Sequence, residues 1–292
     1  MLKIDKLCVR YGKQTALDID ETIVFEGNDR IGIIGANGAG KSTFVKAVLG
    51  LIKYEGKIEC DFKNTDIGVF MQFNNYVNTM PVKYIIETIL NTKIEKNTEL
   101  KKLIEFFEFT GCLNKKYRFL SGGQKQKLTI IMVLIKESPL VFFDEMTSGI
   151  DFEARQKLMS KVVEWYEKKN STLCFVSHYY EEIEPVVNKI LLIDKGKVIA
   201  YGSKEDLFNK YCGRTVITVE NTKQNAEDLE CFEKISSVEN TIALKCPDEE
   251  TENKIVGYLI KKDINFKRTN NDIEVLSVNA KEQYYKERSA VK

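Results

Sequence analysis

The chain has almost no net charge. Its 44 basic residues against 43 acidic ones leave a formal +1, which gives no electrostatic case for a nucleic-acid partner. Paired cysteines are missing too. Seven cysteines stand singly between Cys8 and Cys246, an odd number with no C-x-x-C, which argues against both a disulfide framework and a zinc site. Histidine occurs once, at His178. The longest apolar stretch, LTIIMVLI, stops at KESP, well short of the roughly 20 residues a membrane helix needs. The opening MLKIDKLCVRYG lacks the apolar core of a signal peptide. These absences point to a soluble, cytosolic chain whose membrane part, if it has one, is another polypeptide. No internal repeat or low-complexity tract is present.

What is there is an alternation of short β-branched runs with helical patterns. RIGIIG (30–35) reads as a buried strand and KSTFVKAVLGLI as the helix after it. DIGVFMQ (66–72), LVFFDE (140–145) and TLCFVSH (172–178) are apolar runs of strand length. ILLIDKGKVIAYG (190–202) reads as two strands around the turn Asp194–Gly196. Strands alternating with helices predict an α/β fold with a largely parallel sheet covered on both faces. From about 73 to 139 the pattern becomes helical, as an insert on that core. Near Tyr211 it changes again. TVITVE (215–220), TIALKC (241–246) and DIEVLSV (272–278) read as strands, with an amphipathic helix over 249–262. The predicted division is 1–212 for the large unit and 213–292 for a small α+β unit.

The chemistry concentrates in a few places. GANGAGKST, Gly35–Thr43, fits G-x-x-x-x-G-K-[ST], follows a strand and opens a helix. The loop Gly35, Ala36, Asn37, Gly38, Ala39, Gly40 can close its main chain around a phosphate, held by N–H groups and the helix dipole. Lys41 is placed to reach β- and γ-phosphates, and the Ser42 hydroxyl to bind Mg²⁺ beside Thr43. Asp144 and Glu145 end an otherwise apolar strand, where an unpaired carboxylate is costly and a cation is expected. Asp144 suits a Mg²⁺ shell and Glu145 an attacking water, although acids at a solvated strand end that cap a helix are the plainer alternative. His178 ends the next strand, where ligands of open parallel sheets gather; a lone histidine there is otherwise a core residue. Gln72 ends another strand, and its amide can coordinate Mg²⁺ or orient water, or simply face solvent.

Taken together, these residues resemble the nucleotide-binding subunit of an ATP-binding cassette (ABC) transporter, from Met1 to about Tyr211. Gly35–Ser42 matches the Walker A loop, Gln72 the Q-loop, LSGGQ (120–124) the family signature, and LVFFDE the Walker B strand. SGID (148–151) matches the D-loop and His178 the switch histidine. The resemblance implies a P-loop cassette with parallel-sheet core, antiparallel β region and helical subdomain, followed by the small α+β unit. It implies ATP and Mg²⁺ as ligands, Tyr11 stacked on adenine, Glu145 and His178 as the catalytic pair, and Ser42, Gln72 and Asp144 at the metal. It also implies a second ATPase subunit, so that Ser121, Gly122, Gly123, Gln124 and Asp151 act on the ATP bound by the partner. A polytopic membrane subunit would place the chain on the inner face of the cell membrane.

The wording departs from the family's habit in places. Met146 follows Glu145 where proline is usual, Ile150 replaces leucine, Lys127 replaces arginine, and IMVL (131–134) replaces a more typical Ala-Arg-Ala-Leu. A single cassette argues against the translation-factor branch, and the lack of a long coiled-coil insertion against the chromosome-maintenance branch. The small C-terminal unit resembles tails on exporters of drugs, antimicrobial peptides and lantibiotics, which favours export over import. A soluble ABC ATPase acting on a cytosolic assembly is the reading from another class.

Overall fold

A computed structural model describes residues 1–71, 76–146, 151–238 and 240–290. The chain opens with β1 (Leu2–Tyr11), β2 (Gln14–Ile19) and β3 (Ile23–Phe25), then β4 (Arg30–Ile34), α1 (Lys41–Val48) and β5 (Glu55–Cys60). β1 pairs antiparallel with β2, β3 and β5, which makes a four-stranded sheet over the start of the chain. Next come β6 (Gly68–Phe70) and the insert helices α2 (Val82–Ile89), α3 (Thr98–Phe106) and α4 (Gly122–Leu134). β7 (Leu140–Asp144), α5 (Phe152–Tyr166), β8 (Thr172–Ser177), α6 (Tyr180–Ile183), β9 (Lys189–Asp194), β10 (Lys197–Ser203) and α7 (Lys204–Cys212) follow in chain order.

The central sheet runs β10-β9-β4-β8-β7-β6, parallel except for β10 at its edge. Its strands are apolar on both sides because both faces are covered. Cys174 and Val176 of β8, with Leu191 and Ile193 of β9, join the antiparallel sheet and α1 in one core. Their neighbours Leu173, Phe175, Ile190 and Leu192 face the opposite way, into a core shared with the insert helices. The side-chain period of two along a strand divides the layers.

After α7 follow β11 (Thr215–Glu220), α8 (Lys223–Asp228), β12 (Lys234–Ile235), β13 (Thr241–Cys246), α9 (Glu249–Lys261), β14 (Phe266–Thr269) and α10 (Ile273–Ser289). The four strands form an antiparallel sheet in the order β12-β13-β11-β14, with its own small core under Leu229, Ile255 and Leu259.

One expected strand is a helix. Residues 272–278 begin α10, whose N-cap Asp272 accepts hydrogen bonds from the Glu274 and Val275 N–H groups, both at 3.0 Å. Ile273, Leu276 and Ala280 are buried, a spacing of three and four that belongs to a helix face. The strand that pairs with β11 is instead β14, just upstream. α10 turns back from the small sheet and packs on α7 and β10. Among the described residues no helix is long and apolar enough to cross a membrane.

Candidate functional site

The loop between β4 and α1 is shaped by what surrounds it. A Cβ at Gly35 would lie 2.1 Å from the Ile193 carbonyl oxygen, so the loop sits against the end of β9 with no room for a side chain. On its other flank, Gly196 N–H donates to the Ala39 carbonyl at 2.8 Å, and the Gly196 carbonyl accepts from Asp18 N–H at 2.6 Å. Gly196 has φ 75°, and a Cβ there would come within 2.8 Å of the Ala16 oxygen. The β9–β10 turn and β2 therefore clamp the phosphate loop from outside.

Asn37 to Thr43, Asp144 and Glu145 border one cavity of about 400 Å³, together with Gln14, Thr15, Ala16, Lys195 and Gly196. Lys41 is 7% exposed, and its ammonium donates to the Gly35 and Ala36 carbonyls at 2.7 and 3.0 Å. Those two bonds occupy donor positions that phosphate oxygens can take over. Burial pulls the Lys41 ammonium below its ordinary value, against the support of Glu145 and Asp144, and Lys281 adds to the lowering. Asp144 is pushed the other way, upward, by burial first and by Glu145 second, with Lys41 opposing. Each charge is thus held at a cost that an opposite charge entering the cavity reduces.

Glu145 leaves β7 in the left-handed region, φ 48°, a strain of roughly 1–3 kcal/mol for a residue with a side chain. Its N–H donates to the Val176 carbonyl of β8 at 3.1 Å, which fixes the departure angle. His178 Nδ1 lies 3.3 Å from Glu145 Oε1, so the switch position and the carboxylate expected to act on water are neighbours. Behind them, Arg155 of α5 pairs with the buried Glu182 of α6 and stacks over the Tyr179 ring. That pair ties the helix after the D-loop to the segment carrying His178.

Not every expected residue meets at this cavity. Tyr11 ends β1 opposite Gln14, and its ring is 51% exposed and outside the cavity lining. Ser121, Gly122, Gly123 and Gln124 form the start of α4 and are not among the residues that line the cavity. Ser121 caps that helix: its hydroxyl accepts from Gln124 N–H at 3.3 Å, and the Gln124 side chain accepts from Ser121 N–H at 3.1 Å. Asp151 likewise caps α5 by accepting from Ala154 N–H. Gln72 and residues 148–150 lie outside the described residues. Sequence reading missed Gln14, Thr15, Ala16, Lys195 and Gly196. Lys195-Gly196 was legible as a hairpin turn, but only the strand order brings that turn to the loop.

A glycine-rich loop opening a helix, with carboxylates at the C-terminal end of a parallel strand two places along the sheet, defines a P-loop nucleotide-binding domain. Residues 22–148 match the family described as ABC transporter. The methionine import ATP-binding protein of Clostridium tetani is 34% identical over 211 residues, 66% of this chain and 64% of that protein. The glucose import ATP-binding protein of Saccharolobus solfataricus is 30% identical over 217 residues, 68% and 61% of the two chains. The chain thus spans under two thirds of the length of these relatives. A solved ATP-binding subunit of an ABC transporter superposes with a TM-score of 0.64 at 23% identity, covering 72% of this chain and 93% of the other. Part of an ABC transporter complex from Clostridium perfringens gives the same score and identity, covering 72% and 90%. These two likenesses speak to the fold. Over residues 22–148 the chain carries the ATP-binding domain of the ABC transporter family.

Proposed function

We propose that the chain binds and hydrolyses ATP and so powers transport through a separate polytopic membrane subunit, as one of two cassettes that close on the nucleotide. The observation that carries this reading is the cavity in which Lys41, Ser42, Asp144 and Glu145 converge. Lys41 exchanges its two carbonyl partners for β- and γ-phosphate oxygens, and the loop N–H groups hold the remaining charge. The Ser42 hydroxyl and Asp144 carboxylate suit Mg²⁺, since burial already disfavours a lone charge on Asp144; Gln72 is the third ligand proposed. When bound, Mg²⁺ neutralises charge on the phosphates. Glu145 accepts the proton of the attacking water, and His178, 3.3 Å away, holds the γ-phosphate side of the site. The exposed Tyr11 ring is free to stack on adenine.

Ser121, Gly122, Gly123, Gln124 and Asp151 belong to the ATP held by the second subunit. Their absence from the lining of this chain's own cavity and the helix N-terminus at Ser121 support that assignment. We read residues 1–212 as the cassette, with its insert at about 73–139, and 213–292 as an accessory unit. Docking on a membrane subunit would place the chain at the cytoplasmic face.

The direction of transport now leans to import. Export rested on the pattern of the C-terminal unit, one of whose expected strands is a helix, whereas the relatives above are named for import of methionine and glucose. The test is copurification from native membranes, followed by phosphate release with and without the recovered partner. A polytopic partner that stimulates hydrolysis supports the reading. Hydrolysis with no membrane partner recovered favours the cytosolic-assembly alternative.

A further inference from the structure

The last helix reaches the nucleotide site from a direction that the cassette motifs leave unassigned. Ile273, Leu276 and Ala280 anchor the first half of α10 in the core. Directly after them, residues 281 and 285 share a face, as i and i+4 do in any α-helix, and both meet Asp194. Tyr285 Oη donates to Asp194 Oδ2 at 2.7 Å, and Lys281 Nζ lies 3.6 Å from Asp194 Oδ1. The Asp194 side chain is only 13% exposed, and both of these partners come from α10. Lys195 adds a third contact, its ammonium 5.3 Å from the centre of the Tyr285 ring.

Asp194 begins the turn that clamps the phosphate loop. Two residues later, Gly196 N–H donates to Ala39 and the Gly196 carbonyl accepts from Asp18, while Lys195 and Gly196 border the cavity itself. The path from α10 to the phosphate loop therefore runs from Tyr285 to Asp194 by a hydrogen bond, along the main chain through Lys195 to Gly196, and from Gly196 to Ala39 by a hydrogen bond. Burial, with the Asp194 carboxylate beside it, pushes the Tyr285 hydroxyl up to about 12, so it stays a donor throughout the working range.

We propose that Tyr285 and Lys281 are positioning residues of the nucleotide site, holding the Asp194–Gly196 turn against the phosphate loop in its ATP-binding shape. The inference rests on the ATP reading above and extends it to the C-terminal unit: a displacement of α10 lowers nucleotide affinity without touching the groups that do the chemistry.

The experiment uses the full chain and four variants, Tyr285→Phe, Lys281→Met, Asp194→Asn and the Tyr285→Phe/Asp194→Asn double. ATP dissociation constants come from calorimetry, KM and kcat from phosphate release, and thermal midpoints are read with and without saturating ATP. Losing the Tyr285 hydroxyl should raise Kd and KM about three- to tenfold, the range of one hydrogen bond to a charged group at a partly exposed site. The value of kcat should stay within about twofold, because no reacting group is removed. The rise in midpoint that ATP produces should shrink, and the double variant should be no worse than the poorer single. Unchanged Kd and KM in both Tyr285→Phe and Lys281→Met overturn the proposal. So does a drop in midpoint that is equal with and without ATP, since that describes a helix holding the fold and nothing more. Lys41→Ala serves as the separate control. If it keeps wild-type ATP affinity, the ATP reading itself fails; if it loses affinity while Tyr285→Phe does not, only the role of α10 fails.

Discussion

Replacing Lys41 by alanine should weaken ATP binding while leaving the nucleotide-free fold nearly unchanged, and the structure sets both sizes. The Lys41 ammonium donates to two main-chain carbonyls at 2.7 and 3.0 Å, yet burial disfavours its charge. Truncation loses those two bonds and also removes a desolvated cation. The two changes oppose each other, and the net shift in unfolding free energy should lie within about 1 kcal/mol. With ATP present only the loss remains, since charge-assisted bonds to phosphate disappear with no compensation. That loss is about 1.5–3 kcal/mol, or roughly ten- to 150-fold in Kd. Calorimetric titration with ATP, paired with a denaturant melt of the nucleotide-free protein, reads the two terms separately. An unchanged Kd would refute the reasoning, because the loop would then hold no phosphate through Lys41. A large loss of stability would refute it differently, by showing that the ammonium is a structural strut.

Three further outcomes follow from single contacts. Burial and then Glu145 raise the Asp144 carboxyl above 3.8, so its protonation favours the folded state. That advantage is complete below 3.8 and is lost as pH rises through the raised value. Asp144→Asn should therefore be more stable than wild type at neutral pH without nucleotide, with the gain vanishing in acid; a variant less stable at neutral pH contradicts the sign. Ser121→Arg should remove the α4 cap, at a cost of about 1 kcal/mol in a denaturant melt. The monomer should bind ATP as before, while ATP-dependent dimerisation and turnover stop; reduced monomer affinity would sink the arrangement in trans. Asp272→Ala should cost about 1 kcal/mol by freeing the Glu274 and Val275 N–H groups at the start of α10. An unmoved denaturation midpoint would mean that the cap contributes nothing.

What the sequence made legible was local, or was carried by a motif. RIGIIG, the loop to Thr43 and the helix behind it lie in one continuous stretch, and LVFFDE announces a buried strand ending in acids. The three-residue spacing of Ser121 and Gln124 is also a capping box in plain view, within the stretch that matches the family signature. Residues 272–278 show the opposite case. Over seven residues an apolar run fits a strand or a helix, and only the structure shows Asp272 capping a helix there. The outer clamp on the phosphate loop could not be read at all, since Ala16 and Gly196 are 180 positions apart by the sequence numbering and meet only through strand pairing. The contact of α10 with Asp194 is non-local in the same way.

The central claim is that this cavity hydrolyses ATP with Glu145 as the proton acceptor. Single-turnover hydrolysis by Glu145→Gln at saturating ATP and Mg²⁺ tests it most directly, with the membrane partner present once recovered. The substitution keeps the side chain's shape and reach but cannot take up the proton. The rate should fall on the order of 10²–10⁴-fold, while ATP affinity holds or improves because a negative charge beside the phosphates is gone. Hydrolysis near the wild-type rate would contradict the account and assign the chemistry to another group.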